Sequence, residues 1–288
     1  GEVVGFLGPN GAGKSTTMKM LTGFLEPDNG EIFINNINLK SDPLKAKEYI
    51  GYLPEGAPSY SDMIVADFLS FIGKMRGLSH NPLSNRLEEM ANQINLKEMW
   101  NRPIETLSKG FKRRVGIAQA LIHDPDILIL DEPTDGLDPN QKHEMRNLIK
   151  RISTNKAIVI STHILEEVEA VCSRAVIIAD GKLLANDTPK NLENKFLNKN
   201  TLSIKVSNKI NNVVSKDIKS LIKYDDVKIQ KTDMSGHTIL VSDNKKVPNL
   251  NTVLKQINKL KLDVIEANFQ KVSLEEIFRK ITSDNNSK

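Results

Sequence analysis

The chain alternates short apolar runs with longer stretches of helical periodicity. Val3 to Leu7 (VVGFL) reads as a buried strand, and Ser15 to Leu21 as the helix that follows it. Asp28-Asn29-Gly30 is a turn signal before a short strand, EIFI at 31–34, and Tyr49 to Leu53 is another strand candidate. From Asp62 to Asn95 the pattern turns helical. Ile64, Phe68, Ile72 and Met75 share one face, and Leu87, Met90, Ala91 and Ile94 repeat the spacing. The spacing then predicts helices over 113–122, 140–152 and 164–171, and strands over 127–130 and 157–160. These strands are wholly apolar, as in a parallel sheet covered on both faces. Ala175 to Ala185 reads as a hairpin turning at Asp180-Gly181, and Thr188-Pro189 as the cap and first residue of a helix.

After about residue 200 the composition shifts to Asn and Lys. The order there is strand (202–206), helix (212–222), strands (227–231 and 237–242), helix (249–260) and strand (264–269). Leu250, Val253, Leu254, Ile257 and Leu260 line one face of the second helix. This βαββαβ order matches a small α+β, ferredoxin-like plait. Ser273-Leu274-Glu275-Glu276 is a capping box that opens a last short helix. The expected division is residues 1–200 and 201–288.

Composition narrows the class. At 288 residues, 39% apolar and 26% charged, the sequence is that of a globular chain, neither fibrous nor disordered. Its longest apolar run, Ala175 to Ala179, is far short of the roughly 18 residues that span a bilayer, so no transmembrane helix or signal peptide is expected within it. Cys172 is the single cysteine, which excludes an internal disulfide and zinc-ribbon spacing. Of the 40 Lys+Arg and 36 Asp+Glu side chains, 16 basic and 10 acidic lie in residues 201–288. Such a basic segment is either a solvated lysine-rich face or a surface for anionic lipid or nucleic acid.

Candidate chemistry begins at GPNGAGKST, which comprises Gly8, Pro9, Asn10, Gly11, Ala12, Gly13, Lys14, Ser15 and Thr16. Gly8, Gly13, Lys14 and Ser15 complete G-x-x-x-x-G-K-[ST] between a strand and a helix. Glycines let the backbone curl so that successive N–H groups and the helix N-terminus bind phosphate oxygens. Lys14 is placed to bridge β- and γ-phosphates and the Ser15 hydroxyl to ligate Mg²⁺. Further on, ILILDE (127–132) delivers Asp131 at the carboxyl end of a buried strand, as a ligand of Mg²⁺, with Glu132 beside it to polarise an attacking water. A phosphate loop by itself leaves kinases, GTPases and many ATPases open.

The segment LSKGF (107–111), opening the basic helix KRRVGIAQAL ahead of the ILILDEP strand, resembles the LSGGQ signature of the ABC-type ATPases. The resemblance covers about residues 1–200 and implies an α/β P-loop NTPase cassette, mainly parallel, with a helical insertion at about 62–110. It implies that Ser108 and Gly110 contact the γ-phosphate of a nucleotide bound on a partner cassette. Lys109 and Phe111 depart from the pattern but leave the Ser and the second Gly in place. TDGLDP (134–139) resembles the D-loop, with Asp138 at the dimer interface, and STH (161–163) resembles the switch segment, with His163 on the γ-phosphate. His80, His123, His143 and His237 read as structural. IGYLPE (50–55) puts Glu55 where the family carries a glutamine, so a possible nucleotide and Mg²⁺ ligand there adds a negative charge.

The family's adenine-stacking aromatic residue and a first strand are expected upstream of Gly1, and a chain starting at Gly1 is expected to bind nucleotide more weakly. The ending SLEEIF resembles bacterial exporter and gliding-motility cassettes. The implied function is an ATP-hydrolysing transporter subunit using ATP and Mg²⁺. It implies a transmembrane permease subunit and a second cassette, identical or not, as partners, at the cytoplasmic side of the cell membrane and without nucleic acid. Weighed against it are a soluble ABC-type ATPase acting on ribosomes or DNA and, more distantly, a nucleotide kinase. The first usually has two cassettes, the DNA-repair type long coiled coils or zinc modules; a kinase lacks the signature and the STH segment.

Overall fold

Parallel pairing of short apolar strands requires a crossover between each pair, and here the crossovers are helices that cover both faces. The computed structural model describes residues 1–196, 201–207, 210, 212–232, 236–243, 247–270 and 278. It divides into two compact units, Gly1–Pro189 and Lys190–Lys288.

In the first unit, β1 (Val3–Leu7) leads into α1 (Lys14–Leu21). A two-stranded hairpin follows, β2 (Phe33–Ile34) and β3 (Ile37–Asn38), then α2 (Pro43–Glu48) and β4 (Ile50–Leu53). The helical stretch is α3 (Val65–Met75), α4 (His80–Gln93) and two 3-10 turns before α5 (Lys109–Leu121). The remainder is β5 (Ile127–Asp131), α6 (Pro139–Ile152), β6 (Ala157–Thr162), α7 (Leu165–Val171), β7 (Arg174–Ala179) and β8 (Lys182–Asp187). Six strands form one sheet in the order β4-β5-β6-β1-β7-β8, parallel throughout except for the edge strand β8.

The register matters more than the order. Leu53 pairs with Leu130, Asp131 with Ser161 and Leu7 with Thr162. The loops after β4, β5, β6 and β1 therefore leave the same sheet edge at nearly the same level, the edge where ligands bind in open α/β sheets. Helix α5 lies on β4 at very short range. A Cβ on Gly51 would collide with the Ala120 carbonyl, and one on Gly116 would lie 2.5 Å from Leu53 Cδ1.

Three local differences from the sequence reading have physical causes. The strand at 31–34 shortens to Phe33–Ile34 and pairs with β3, unrecognised in the sequence, through Asn35 and Asn36 at φ 48° and 64°. Asn tolerates that left-handed backbone, so Asn-Asn is a two-residue hairpin turn. The helical stretch from Asp62 is two helices, broken at Gly77 with φ 83°. Helix α5 begins at Lys109 rather than 113 because Ser108 caps it, its Oγ accepting from Phe111 N at 3.4 Å.

The second unit holds α8 (Pro189–Phe196) in part, then β9 (Thr201–Val206), α9 (Asn212–Leu221), β10 (Asp226–Thr232), β11 (Gly236–Ser242), α10 (Leu250–Lys259) and β12 (Val264–Gln270). The sheet order is β10-β11-β9-β12, with every neighbour antiparallel, which is the expected ferredoxin-like plait. Leu202, Ile204, Val206, Ile239 and Val241 cover one core with Ile218, Val253 and Ile257 of the helices. The capping box at 273–276 lies outside the described residues.

Two stability predictions follow from the packing. Gly51→Ala forces α5 away from β4 and should cost about 1–3 kcal/mol, read by urea unfolding through the fluorescence of Trp100, the sole tryptophan. An unchanged midpoint would show that α5 shifts freely. The second concerns His123, whose Nε2 lies 3.0 Å from the Ile50 carbonyl oxygen while its buried Nδ1 has no partner among the described residues. Burial, with Arg76 nearby, pushes its pKa down from 6.5 to about 4. The unfolded imidazole takes a proton near pH 6.5 and the folded one near 4, so the unfolded state binds more protons in between. Stability is complete above about pH 6.5 and falls by about 2 kcal/mol towards pH 4, discounting for partial exposure. His123→Gln should flatten that window in pH-dependent denaturation; an unchanged slope would assign it to other groups.

Candidate functional site

Each half of the site is built by a strand end and the helix after it. Gly8 follows β1, and its N–H donates to the Thr162 carbonyl at 3.4 Å. A Cβ there would stand 2.5 Å from the Ile178 carbonyl oxygen, so only glycine passes between β6 and β7. Gly11 (φ 81°) and Gly13 (φ 102°) take left-handed turns, and Gly181 N–H donates to the Ala12 carbonyl at 3.1 Å, pinning the loop to the β7–β8 turn. Gly13 caps α1 without a side chain, and the N–H groups of the first helical turn have no intrahelical acceptor. Lys14, buried at 6% exposure, lies across the loop. Its Nζ donates to the carbonyls of Gly8 (3.0 Å) and Pro9 (3.2 Å) and lies 3.5 Å from Glu132 Oε1.

Opposite this cradle stand two buried carboxylates. Asp131 Oδ1 accepts from Ser15 Oγ at 3.4 Å and from Ser161 Oγ. Glu132 adopts φ 47°, a strained conformation for a side chain of its size, and its N–H donates to the Ser161 carbonyl (3.1 Å) and Oγ (3.2 Å). Glu132 Oε2 lies 3.0 Å from His163 Nδ1, so the carboxylate bridges an ammonium and an imidazole. The loops are tied behind the site by buried Glu167, which accepts from Thr162 Oγ1 (2.7 Å) and from Thr134 Oγ1. The negative field is felt by Tyr52, whose phenol is pushed up to about 12 by burial and then by Asp131 and Glu55. The Cys172 thiol is likewise raised to about 12 by burial and Glu167, so it is no nucleophile at neutral pH.

These groups enclose a cavity of about 390 Å³ lined by Asn10, Gly11, Gly13, Lys14, Ser15, Thr16, Glu55, Glu132, Asp135 and His163. Among residues singled out in the sequence, Gly8, Pro9 and Ala12 form the back of the loop, and Asp131 lies behind Ser15. Ser108, Gly110 and Asp138 do not line the cavity. Ser108 and Asp138 are exposed caps of α5 and α6, with Asp138 Oδ1 accepting from Gln141 N at 2.9 Å. A Cβ on Gly110 would meet Gln141 at 3.0 Å, so the two capped helix starts adjoin. Sequence reading missed Asp135, Ser161 and Glu167. Asp135 sits inside TDGLDP and Ser161 inside STH, but Glu167 had no signal beyond an ordinary amphipathic helix.

The donor set suits a nucleotide with a hard cation. Backbone N–H groups and one ammonium match phosphate oxygens, and a hydroxyl with an adjacent carboxylate matches Mg²⁺. Among the described residues, no group of three or more His, Cys, Asp or Glu could enclose a metal, so these residues would supply only part of a coordination shell.

Comparison with known proteins agrees with this chemistry. A family model described as ABC transporter matches residues 1–135. The linearmycin resistance ATP-binding protein LnrL of Bacillus subtilis is 34% identical over 95% of this chain and 89% of its own. The ABC transporter ATP-binding protein NatA of the same organism is 38% identical over 64% of this chain and 76% of its own. The solved structure of cbiO1 from Clostridium perfringens, described as part of the ABC transporter complex cbiONQ, superposes with a TM-score of 0.62. It is 29% identical, covering 68% of this chain and 80% of cbiO1. With a phosphate cradle, a buried Asp-Glu pair and a relative shared over nearly its whole length, this chain belongs to the ABC transporter ATP-binding proteins, the subunits that bind and hydrolyse ATP.

Proposed function

We propose that residues 1–200 form the ATP-binding domain of an exporter and residues 201–288 an accessory domain, and that the cavity beside Lys14 holds the triphosphate. The observation that carries this reading is the meeting of Lys14, the Ser15–Asp131 pair and the Glu132–His163 pair around one cavity. Gly11, Gly13, Lys14, Ser15 and Thr16, which line the cavity, bind phosphate oxygens through main-chain N–H groups while Gly8, Pro9 and Ala12 shape the loop behind them, and Lys14 leaves its loop carbonyls to bridge the outer phosphates. Ser15 Oγ and Asp131, with Glu55 at the cavity wall, would hold Mg²⁺, which supplies charge neutralisation on the phosphates. Glu132 takes a proton from the attacking water and holds that water in line. His163 orients the Glu132 carboxylate through Nδ1 and faces the γ-phosphate.

Ser108, Gly110 and Asp138 lie outside this chain's own cavity, and two of them are exposed, which supports their service to a nucleotide on a second cassette. A nucleotide held by both cassettes is bound more tightly by the closed pair than by the open one. That difference is what lets ATP drive a conformational change, and loss of the γ-phosphate reverses it.

No helix among the described residues is long and apolar enough to cross a membrane. A transmembrane permease partner, with this chain peripheral on its cytoplasmic side and without nucleic acid, is supported by likeness to cbiO1, described as part of the ABC transporter complex cbiONQ. Export is supported by LnrL, a resistance protein that matches this chain through the accessory unit as well.

Glu132→Gln should leave Mg-ATP binding intact, lower the turnover by about 10²–10⁴-fold and trap a dimer on gel filtration with ATP. Hydrolysis at the normal rate would overturn the role given to Glu132. A wild-type chain giving no calorimetric signal with Mg-ATP would overturn the placement of the nucleotide.

A further inference from the structure

Arg113 belongs to none of the roles above, yet it is one of the most deeply buried cations of the chain, at 6% exposure. Its Nη1 is buried and has no hydrogen-bond partner among the described residues. The packing of α5 shows where it points. Ala120 lies over Gly51, and Gly116 lies over Leu53 and Ala57, so α5 runs antiparallel to β4. Arg113 is one turn before Gly116 on the same helix face, which carries it past the end of β4 to the segment bearing Glu55. On its other side, Gly110 meets Gln141, where the D-loop segment enters α6.

The guanidinium therefore sits between two segments that wall the nucleotide cavity, and the acids nearest to it in effect are those of that wall. Burial lowers its pKa, and Asp135, then Glu55, Asp131 and Glu132, oppose the change. Three of these carboxylates, Glu55, Glu132 and Asp135, line a cavity built for a polyanion, and Asp131 lies behind Ser15. Lys14 is engaged with Glu132, and the hydroxyls of Ser15 and Ser161 carry no charge to set against Asp131. Asp135 and Glu55 have no ion pair of their own among the described residues. A buried cation placed behind these two exposed carboxylates lowers the repulsion that an incoming triphosphate meets.

We propose that Arg113 is a positioning residue whose buried guanidinium offsets the acidic wall of Glu55 and Asp135, and so permits a carboxylate at position 55 beside the triphosphate. This rests on the placement of the nucleotide given above. Arg113 acts through Glu55 and Asp135 and does not touch the reacting atoms.

The test is a double-substitution cycle on the full chain, with Arg113→Gln, Glu55→Gln and the pair, reading Mg-ATP affinity by calorimetry together with KM and kcat. Arg113→Gln should weaken affinity and raise KM by about tenfold while kcat changes less. In the Glu55→Gln background the same replacement should cost less than about threefold. An equal loss in both backgrounds overturns the proposal, because a merely structural arginine would be indifferent to the charge at 55. Should Arg113→Gln not fold, Arg113→Lys is measured instead: because it keeps the charge, an affinity within about threefold of wild type in either background supports the proposal, and a tenfold loss overturns it. A wild-type chain that fails to bind Mg-ATP overturns the nucleotide placement and this proposal with it. Normal wild-type binding with an additive cycle overturns this proposal alone.

Discussion

The parallel ladder joining β4, β5, β6 and β1 is the constraint on which everything else rests. Its register sets Leu53 beside Leu130, Asp131 beside Ser161 and Leu7 beside Thr162, so four loops distant in sequence emerge at one edge. A slip of β5 by one residue would turn Asp131 to the opposite face of the sheet and exchange its surroundings with those of Leu130. What prevents the slip is burial on both faces. Leu128, Ile129 and Leu130 are all shut away, and each is worth about 1.5–3 kcal/mol when fully buried. The chemistry at the strand ends is thus held in place by residues that take no part in it.

Within that frame the site stores both charge and strain. Asp131 and Glu132 are nearly inaccessible, and a buried carboxylate is tolerated only where hydrogen bonds and opposite charge meet it. Asp131 is met by two hydroxyls, and Glu132 by Lys14 and His163. The left-handed backbone of Glu132 persists because Ser161 accepts its N–H twice, from the neighbouring strand, through the carbonyl and the hydroxyl. Ser161 therefore holds both acids at once, the side chain of one and the main chain of the other. Sites that violate ordinary stability rules in this way are where function is concentrated.

Much of this was legible in the sequence, and the boundary is physical. Glycine spacing, the apolar strand ending in Asp-Glu and the order of LSKGF, TDGLDP and STH are local signals, and the elements they mark formed where expected. The βαββαβ order of the second unit was likewise written in its periodicity, because alternation and the Leu250 stripe each belong to one element. What escaped notice depends on contact between distant segments. Glu167 is one carboxylate in LEEVEAV, and nothing local marks it as buried between Thr134 and Thr162. Arg113 is one of several bases in KRRVGIAQAL, and only the seat of α5 on β4 turns it inward while Arg114 reaches the Ile94 carbonyl instead. The strand β3 was hidden for another reason: two residues of pairing leave no period to read.

Helix α5 joins the signature segment to the nucleotide cavity. Its first turn carries Ser108 and Gly110, its inner face carries Arg113, and Gly116 lets it lie directly on β4. A helix seated this closely cannot tilt independently of the strand beneath it, since interiors resist deformation and repack between discrete arrangements. Any force on the exposed end that bears Ser108 is therefore passed to β4 and to the segment carrying Glu55, across the face of the cavity. The same helix start touches α6 at Gln141, next to Asp138. Under the proposed roles, the surface offered to a second cassette and the segment that walls this chain's own nucleotide cavity meet at the first turns of one stiff element. A small protein thus gains a mechanical link between two sites without any dedicated lever.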